Sequence, residues 1–314
     1  MRVAVTWTGG KDSCFALYEA MREGYSVSLL MNFIFQDVES RSPYKPSNLF
    51  RFIMKDYCKP SFSKLFVLAN VATSFIRMHL NKFLSLSLSN SIENILDKMP
   101  ANFSNLIKSF TKHEPMIWHE ISPEMIALQA EALGIPLVQI RTTWGSFEDQ
   151  VRMELRKLKS MDIRGVVWGI APPGSPDFTN SKALRDYLQL NAEKDWIDRI
   201  CKDEGIKPIT PLWSKKPHEV LLTLIKENFK AIITVLNPQY FNEEWLGKVV
   251  DYSFLQGVCE IHKNKGIHIG GDDYHTFVID GPIFKKRIRI VKSIKVFRHG
   301  YYLLDILKAK LEPK

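Results

Sequence analysis

Apolar runs and amphipathic stretches alternate along much of the chain. Val3-Ala4-Val5 is a short apolar run and predicts a strand over about Arg2–Trp7. Helical spacing follows over about Lys11–Glu23, and Gly24 stands where a helix usually stops. Ser26–Phe35 is continuously apolar, as a strand buried on both faces should be. Residues 41–114 break this rhythm. They mix Pro43, Pro46, Pro60 and Pro100 with short basic-apolar helical stretches and a serine-leucine run over Leu84–Ser91. Alternation then returns. Ser122 caps a helix that runs through Leu133 and ends at Gly134. Leu137–Arg141 reads as a strand, Phe147–Met161 as a helix and Gly165–Trp168 as a strand. Residues 172–192 read as an added loop with a polar turn at Ser175–Ser181; a helix over Glu193–Glu204 and a strand over Lys207–Thr210 follow.

Strands alternating with helices predict an α/β fold: a Rossmann-like parallel sheet with helices on both faces, here over residues 1–211. From about Leu212 the pattern changes. A helix over Pro217–Asn228, a strand over Ala231–Leu236, a helix over about Trp245–His262 and strands near Tyr274–Ile279 and Arg287–Phe297 predict a smaller α+β domain over 212–314.

Length and composition fit one large or two ordinary globular domains. No run of eighteen apolar residues is present, so no membrane span is expected. The most apolar stretch, Leu65–Leu80, is interrupted by Asn70, Thr73, Arg77 and His79. Arg2 leads straight into a strand, with no signal-peptide pattern, and a cytoplasmic protein is expected. Cys14, Cys58, Cys201 and Cys259 are scattered without metal-ligand spacing, which predicts reduced structural thiols. Cys14 lies one turn into the first helix, where the dipole can lower a thiol pKa; a small core residue is the plainer reading. The net charge of +9 is concentrated: residues 41–114 hold eleven Lys/Arg against four Asp/Glu, which leaves the rest nearly neutral. That basic-aromatic segment reads as a helical insertion that either is solvated or contacts RNA or a protein.

The candidate chemistry sits between the first strand and the first helix, in Thr8-Gly9-Gly10-Lys11-Asp12-Ser13. A helix N-terminus presents N–H groups and the positive end of its dipole, which suits a phosphate. Two glycines permit close backbone approach, Lys11 adds charge, and Thr8 and Ser13 add hydroxyls. The spacing is neither a Walker loop nor a G-x-G-x-x-G turn. In a parallel sheet the loop leaves the carboxyl end of the first strand, where ligands bind.

This loop resembles the PP-loop of the N-type ATP pyrophosphatases, Ser-Gly-Gly-x-Asp-Ser, with Thr8 in place of the leading serine. Further stretches resemble the diphthine–ammonia ligase family: Gln129-Ala130-Glu131-Ala132-Leu133-Gly134, Lys194-Asp195-Trp196, Pro211-Leu212-Trp213, Trp245-Leu246-Gly247 and Tyr274-His275-Thr276-Phe277-Val278. The resemblance covers residues 1–40 and about 115–285. It implies ATP-dependent amidation of diphthine on translation elongation factor 2. ATP would be split to AMP and pyrophosphate through an acyl-adenylate, with ammonium as nitrogen donor and Mg²⁺ as cofactor. The nucleotide would be held by Thr8, Gly9, Gly10, Lys11, Asp12, Ser13, His119 and Gly169. Lys11, Asp273, Thr276 and His275 would serve catalysis, and Asp272 and Asp273 the metal. Two departures stand out: an acid of the family falls on Gly270, and some members carry an aspartate where this chain has Ile170. A PP-loop protein acting on RNA, or a binding module with reduced catalysis, is the alternative, and a homo-oligomer is left open.

Overall fold

A computed structural model describes residues 1–36, 121–171, 181–265 and 273–314. These all belong to one of the two units into which the chain divides; residues 45–114, the core of the expected insertion, lie outside the described residues, as does the turn at 175–180.

Five parallel strands form the first sheet: β1 (Arg2–Thr6), β2 (Ser26–Phe35), β3 (Leu137–Thr142), β4 (Gly165–Val167) and β5 (Lys207–Ile209). Their order is β3-β2-β1-β4-β5. The chain walks outward from β1 to β3 and then returns to the other side of β1. That reversal makes the carboxyl ends of β1 and β4 the topological switch point of the sheet. Flanking helices are α1 (Lys11–Arg22), α2 (Pro123–Leu133), α3 (Phe147–Ser160) and α4 (Ser181–Glu204), numbered among the described residues. Right-handed crossovers put α1 and α2 on one face and α3 and α4 on the other. The ends of α2 are as the sequence predicts. Ser122 Oγ accepts from Met125 N at 3.4 Å, and Gly134 takes the left-handed conformation at the other end (φ 69°).

The second sheet is antiparallel: β6 (Lys230–Leu236), β7 (Tyr274–Asp280), β8 (Lys286–Arg298) and β9 (Tyr301–Pro313), in the order β7-β6-β9-β8. Helices α5 (Pro217–Lys226) and α6 (Tyr252–Lys265) accompany it. One hydrophobic core spans both sheets, from Val3 and Val5 through Phe15 and Ile126 to Ile232 and Phe277.

The sequence pattern misplaces three elements. α4 begins at Ser181, so the stretch over 181–192 is helix and not loop. The helix expected from Trp245 is a single 3-10 turn over Glu243–Trp245, and α6 starts only at Tyr252. Gly247 (φ 80°) breaks the helical path between them, and Asp251 Oδ1 accepts from Phe254 N at 2.9 Å to start the new helix. Strand β9 is not anticipated at all. His299 and Gly300 both have positive φ (53° and 83°), as a two-residue hairpin turn requires, and they fold β9 back on β8.

Candidate functional site

Gly9 turns the chain between β1 and α1 with φ 78°. A β-carbon there would also lie 2.7 Å from Ile126 Cδ1 and 2.9 Å from Gln129 Oε1. Conformation and space both require glycine at this position. Gly10 is the N-cap of α1, in extended conformation. The turn is tied internally: Thr8 Oγ1 donates to Ser13 Oγ at 3.2 Å, and Ser13 Oγ donates to the Gly10 carbonyl at 3.1 Å.

The far wall of the turn comes from the second sheet. β7 is an edge strand, and its backbone runs beside the loop. Val278 N donates to the Gly9 carbonyl at 3.0 Å, and Lys11 N donates to Thr276 Oγ1 at 3.0 Å. Lys11 Nζ pairs with Asp12 Oδ2 at 2.8 Å and sits 4.7 Å from the centroid of the Tyr274 ring. Burial would lower the Lys11 pKa. The Asp12 carboxylate outweighs that and holds the ammonium above its ordinary value, so Lys11 stays charged. Burial pushes the Tyr274 phenol up, so Tyr274 is a neutral donor and ring at working pH.

The third wall follows β4. A β-carbon on Gly169 would lie 2.6 Å from Ser13 Cα and 2.7 Å from Ser13 N. The β4 loop therefore lies directly on the first turn of α1, at the switch point of the sheet. The next residue, Ile170, is buried.

Thr8, Gly9, Gly10, Lys11, Asp12, Ser13, Gly169 and Thr276 are thus brought together. Asp273 is 1% exposed just ahead of β7, beside Tyr274. Side chains alternate along a strand, so His275 leaves β7 on the face opposite Tyr274 and Thr276. His119, Asp272 and Gly270 lie outside the described residues. Cys14 is buried, and burial drives its thiol pKa up; the lowering by the helix dipole that its position suggests is not what the fold produces.

Gln129, in the sequence only the first residue of the Gln129–Gly134 stretch and given no role there, ties the loop to its surroundings. It is fully buried on α2. Its Nε2 donates to the Gly9 carbonyl at 3.0 Å and to the Val278 carbonyl at 2.6 Å, while its Oε1 accepts from Trp7 Nε1 at 2.8 Å. One amide joins α2, Trp7 just past β1, the loop and β7. Asn32 adds a brace: its Nδ2 donates to the Trp7 carbonyl at 2.9 Å. The signal was available. Gln129 occupies the buried stripe with Ile126, Ala130 and Leu133, where a polar side chain needs a reason to be.

Family models recognise both halves of this arrangement. The N-terminal domain of diphthamide synthase matches residues 1–49 and 94–172, and the C-terminal domain of diphthamide synthase matches residues 216–311. Together they cover more than two-thirds of the chain, with the loop in one and β7 in the other. The chain belongs to the diphthamide synthase family. Similar relatives are named diphthine–ammonia ligase. Those of Bos taurus and Homo sapiens are each 28% identical, over 198 and 201 residues, spanning 59% of this chain and 68% of each relative. The one of Schizosaccharomyces pombe is 21% identical over 229 residues, spanning 71% of this chain and 36% of its own length. A solved structure, a predicted subunit of tRNA methyltransferase from Methanocaldococcus jannaschii, aligns at 14% identity and TM-score 0.35 over 90% of this chain and 98% of its own. That similarity is too low to bear on fold or function. Within the diphthamide synthase match, the gap at residues 50–93 falls inside the basic segment.

Proposed function

We propose that this chain is an ATP-dependent diphthine–ammonia ligase that amidates diphthine on translation elongation factor 2. Residues 1–211 would hold the nucleotide, and residues 212–314 the acceptor. The observation that carries the reading is the bond from Lys11 N to Thr276 Oγ1. It joins the phosphate-type loop to the Tyr-His-Thr strand, and on this reading nucleotide and acceptor chemistry would meet there.

The glycine cradle fits the pyrophosphate end of ATP. Gly9 and Gly169 let the loop close on α2 and the β4 loop close on the first turn of α1, which sets the N-terminus of α1 at the turn. An acceptor carboxylate oxygen attacks the α-phosphorus, the bond to the bridging oxygen breaks, and pyrophosphate leaves. Lys11, permanently charged, and the first-turn N–H groups compensate the charge that develops on the leaving group. Thr276 already accepts a hydrogen bond from Lys11 N, so its own hydroxyl proton is available to donate to a phosphate or carboxylate oxygen. Ammonia then attacks the acyl carbon and AMP leaves, giving the amide. Among the described residues, no group of three metal-ligating side chains is assembled. Mg²⁺ would accordingly come with the nucleotide phosphates and take one or two carboxylates, for which Asp273 is the described candidate and Asp272 its neighbour in sequence. Mg²⁺ supplies charge neutralisation at the phosphates when bound.

End-product analysis tests the reading. Incubation with ATP, Mg²⁺, ammonium and diphthine-bearing elongation factor 2 should give AMP and pyrophosphate together with diphthamide. AMP that appears with transfer RNA and not with the factor would sink it.

A further inference from the structure

The near-neutrality of the chain outside residues 41–114 is an average of two opposite regions. Residues 285–314 hold ten Lys/Arg against two Asp/Glu, a net +8, so acids exceed cations in the remainder. This basic stretch is the β8–β9 hairpin, and β8 is the outer strand of its sheet. Among the described residues no strand pairs with its outer edge, which leaves a row of backbone donors and acceptors facing outward.

The middle of the hairpin is built against its own stability. Lys292 and Lys308 are directly opposite each other across the two strands. Like charges in that position repel. The register shifts on either side of this pair, so Val291 is extra on β8 and Leu307 is extra on β9. Both are apolar and about half exposed, at 48% and 51%. Ile294 and Phe297 are also exposed along β8, at 44% and 64%, three residues apart and so on opposite faces of the strand. Elsewhere on the hairpin the cations have partners: Arg287, Arg289 and Lys310 meet Glu312, Arg298 meets Asp305, and Lys295 donates to the Glu243 carbonyl. A bare pair of lysines between exposed aliphatic side chains, beside an open strand edge, calls for an occupant with carboxylates, apolar side chains and a backbone able to pair.

We propose that the outer edge of β8 around Lys292 and Lys308 docks an extended acidic segment of a partner protein. The segment adds as a further strand, sets a carboxylate between the two ammonium groups and covers Val291, Ile294 and Leu307. A second copy of this chain is a poor occupant, because its β8 would bring lysines against lysines. A nucleic acid would use the charge but has no use for the aliphatic flanks or the strand edge.

The test uses the full chain and a short labelled peptide alternating glutamate and valine. Two further probes serve as comparisons: the same peptide with lysine for glutamate, and a single-stranded RNA of equal charge. The glutamate peptide should bind, and amide hydrogen exchange should slow at alternate residues of β8. Lys308→Glu should weaken binding at least about tenfold. The same substitution replaces a repulsive cross-strand pair with an attractive one, so it should hold or raise the thermal midpoint; lost binding would then not be lost folding. The proposal is overturned if the glutamate peptide does not bind, if Lys308→Glu leaves its affinity unchanged, or if the RNA binds more tightly while β8 amides exchange as before.

Discussion

Gln129 shows how much of this site rests on one uncharged side chain. It satisfies two carbonyls and one indole N–H that water cannot reach. Gln129→Leu removes a bond from all three, leaving the Gly9 carbonyl only its bond from Val278 N, and should cost roughly 2–4 kcal/mol, read from the urea midpoint. Gln129→Glu retains an acceptor for Trp7 but turns a carboxylate on two carbonyls, so it should be no milder. Lys11→Ala should reduce AMP formation by at least about a hundredfold with the fold retained, because on the proposed reading it removes the charge that would meet the leaving pyrophosphate. Near-normal turnover in that variant would refute the role given to Lys11. Gly169→Ala forces a β-carbon into the backbone at Ser13 and should cost about 1–3 kcal/mol together with nucleotide affinity, measurable by calorimetry. At this scale the sequence was partly legible. The glycines, Lys11 and the hydroxyls announce an anion site because those residue types serve little else in that order. Gln129 was quoted within a stretch, but its role was hidden because its helix has the look of an ordinary amphipathic one until each position of the buried stripe is considered. Tyr274 was quoted within a motif, but its contact with Lys11 depends on tertiary proximity that no local pattern encodes.

Elements were read best where periodicity and caps agree. β2 and α2 have the bounds that their apolar run, Ser122 and Gly134 imply. β9 escaped because its turn uses His299-Gly300 in place of the usual asparagine-glycine pair. The start of α4 escaped because helix formers over 181–192 follow a polar cluster that masks the onset. The packing of α3 on α4 carries a prediction of its own. Glu148 accepts from Trp196 Nε1 at 2.8 Å and pairs with Arg152 at 2.8 Å and Arg199 at 3.3 Å. Burial would raise the pKa of this carboxyl, but the Trp196, Arg152 and Arg199 hydrogen bonds and charge outweigh it and hold the pKa below the ordinary carboxylate range. A depressed folded-state pKa contributes stability at pH above the unfolded value, and that stability is lost as pH falls through the folded value. Thermal midpoints should therefore drop on acidification below the usual carboxylate range. Glu148→Gln, which keeps the indole bond and loses the ion pairs, should start lower at neutral pH and fall less over the same window.

At the scale of the whole molecule, the diphthamide synthase match skips residues 50–93 while the parallel sheet closes without them. A chain lacking that stretch should still bind ATP with affinity within about threefold of the intact protein, a change of less than 1 kcal/mol by equilibrium dialysis. Loss of ATP binding in a variant that remains folded would make the segment part of the nucleotide site. The order of the chain also has a consequence. The loop is finished at Ser13, but its opposite wall, Thr276 and Val278, is more than two hundred and fifty residues further on. Contacts this distant in sequence form only after almost everything between them exists. A nascent chain therefore carries the glycine turn for most of its synthesis with no second side to close it. Prematurely ended products would have the loop and lack Thr276, so on the proposed reading they would hold nucleotide without turning it over.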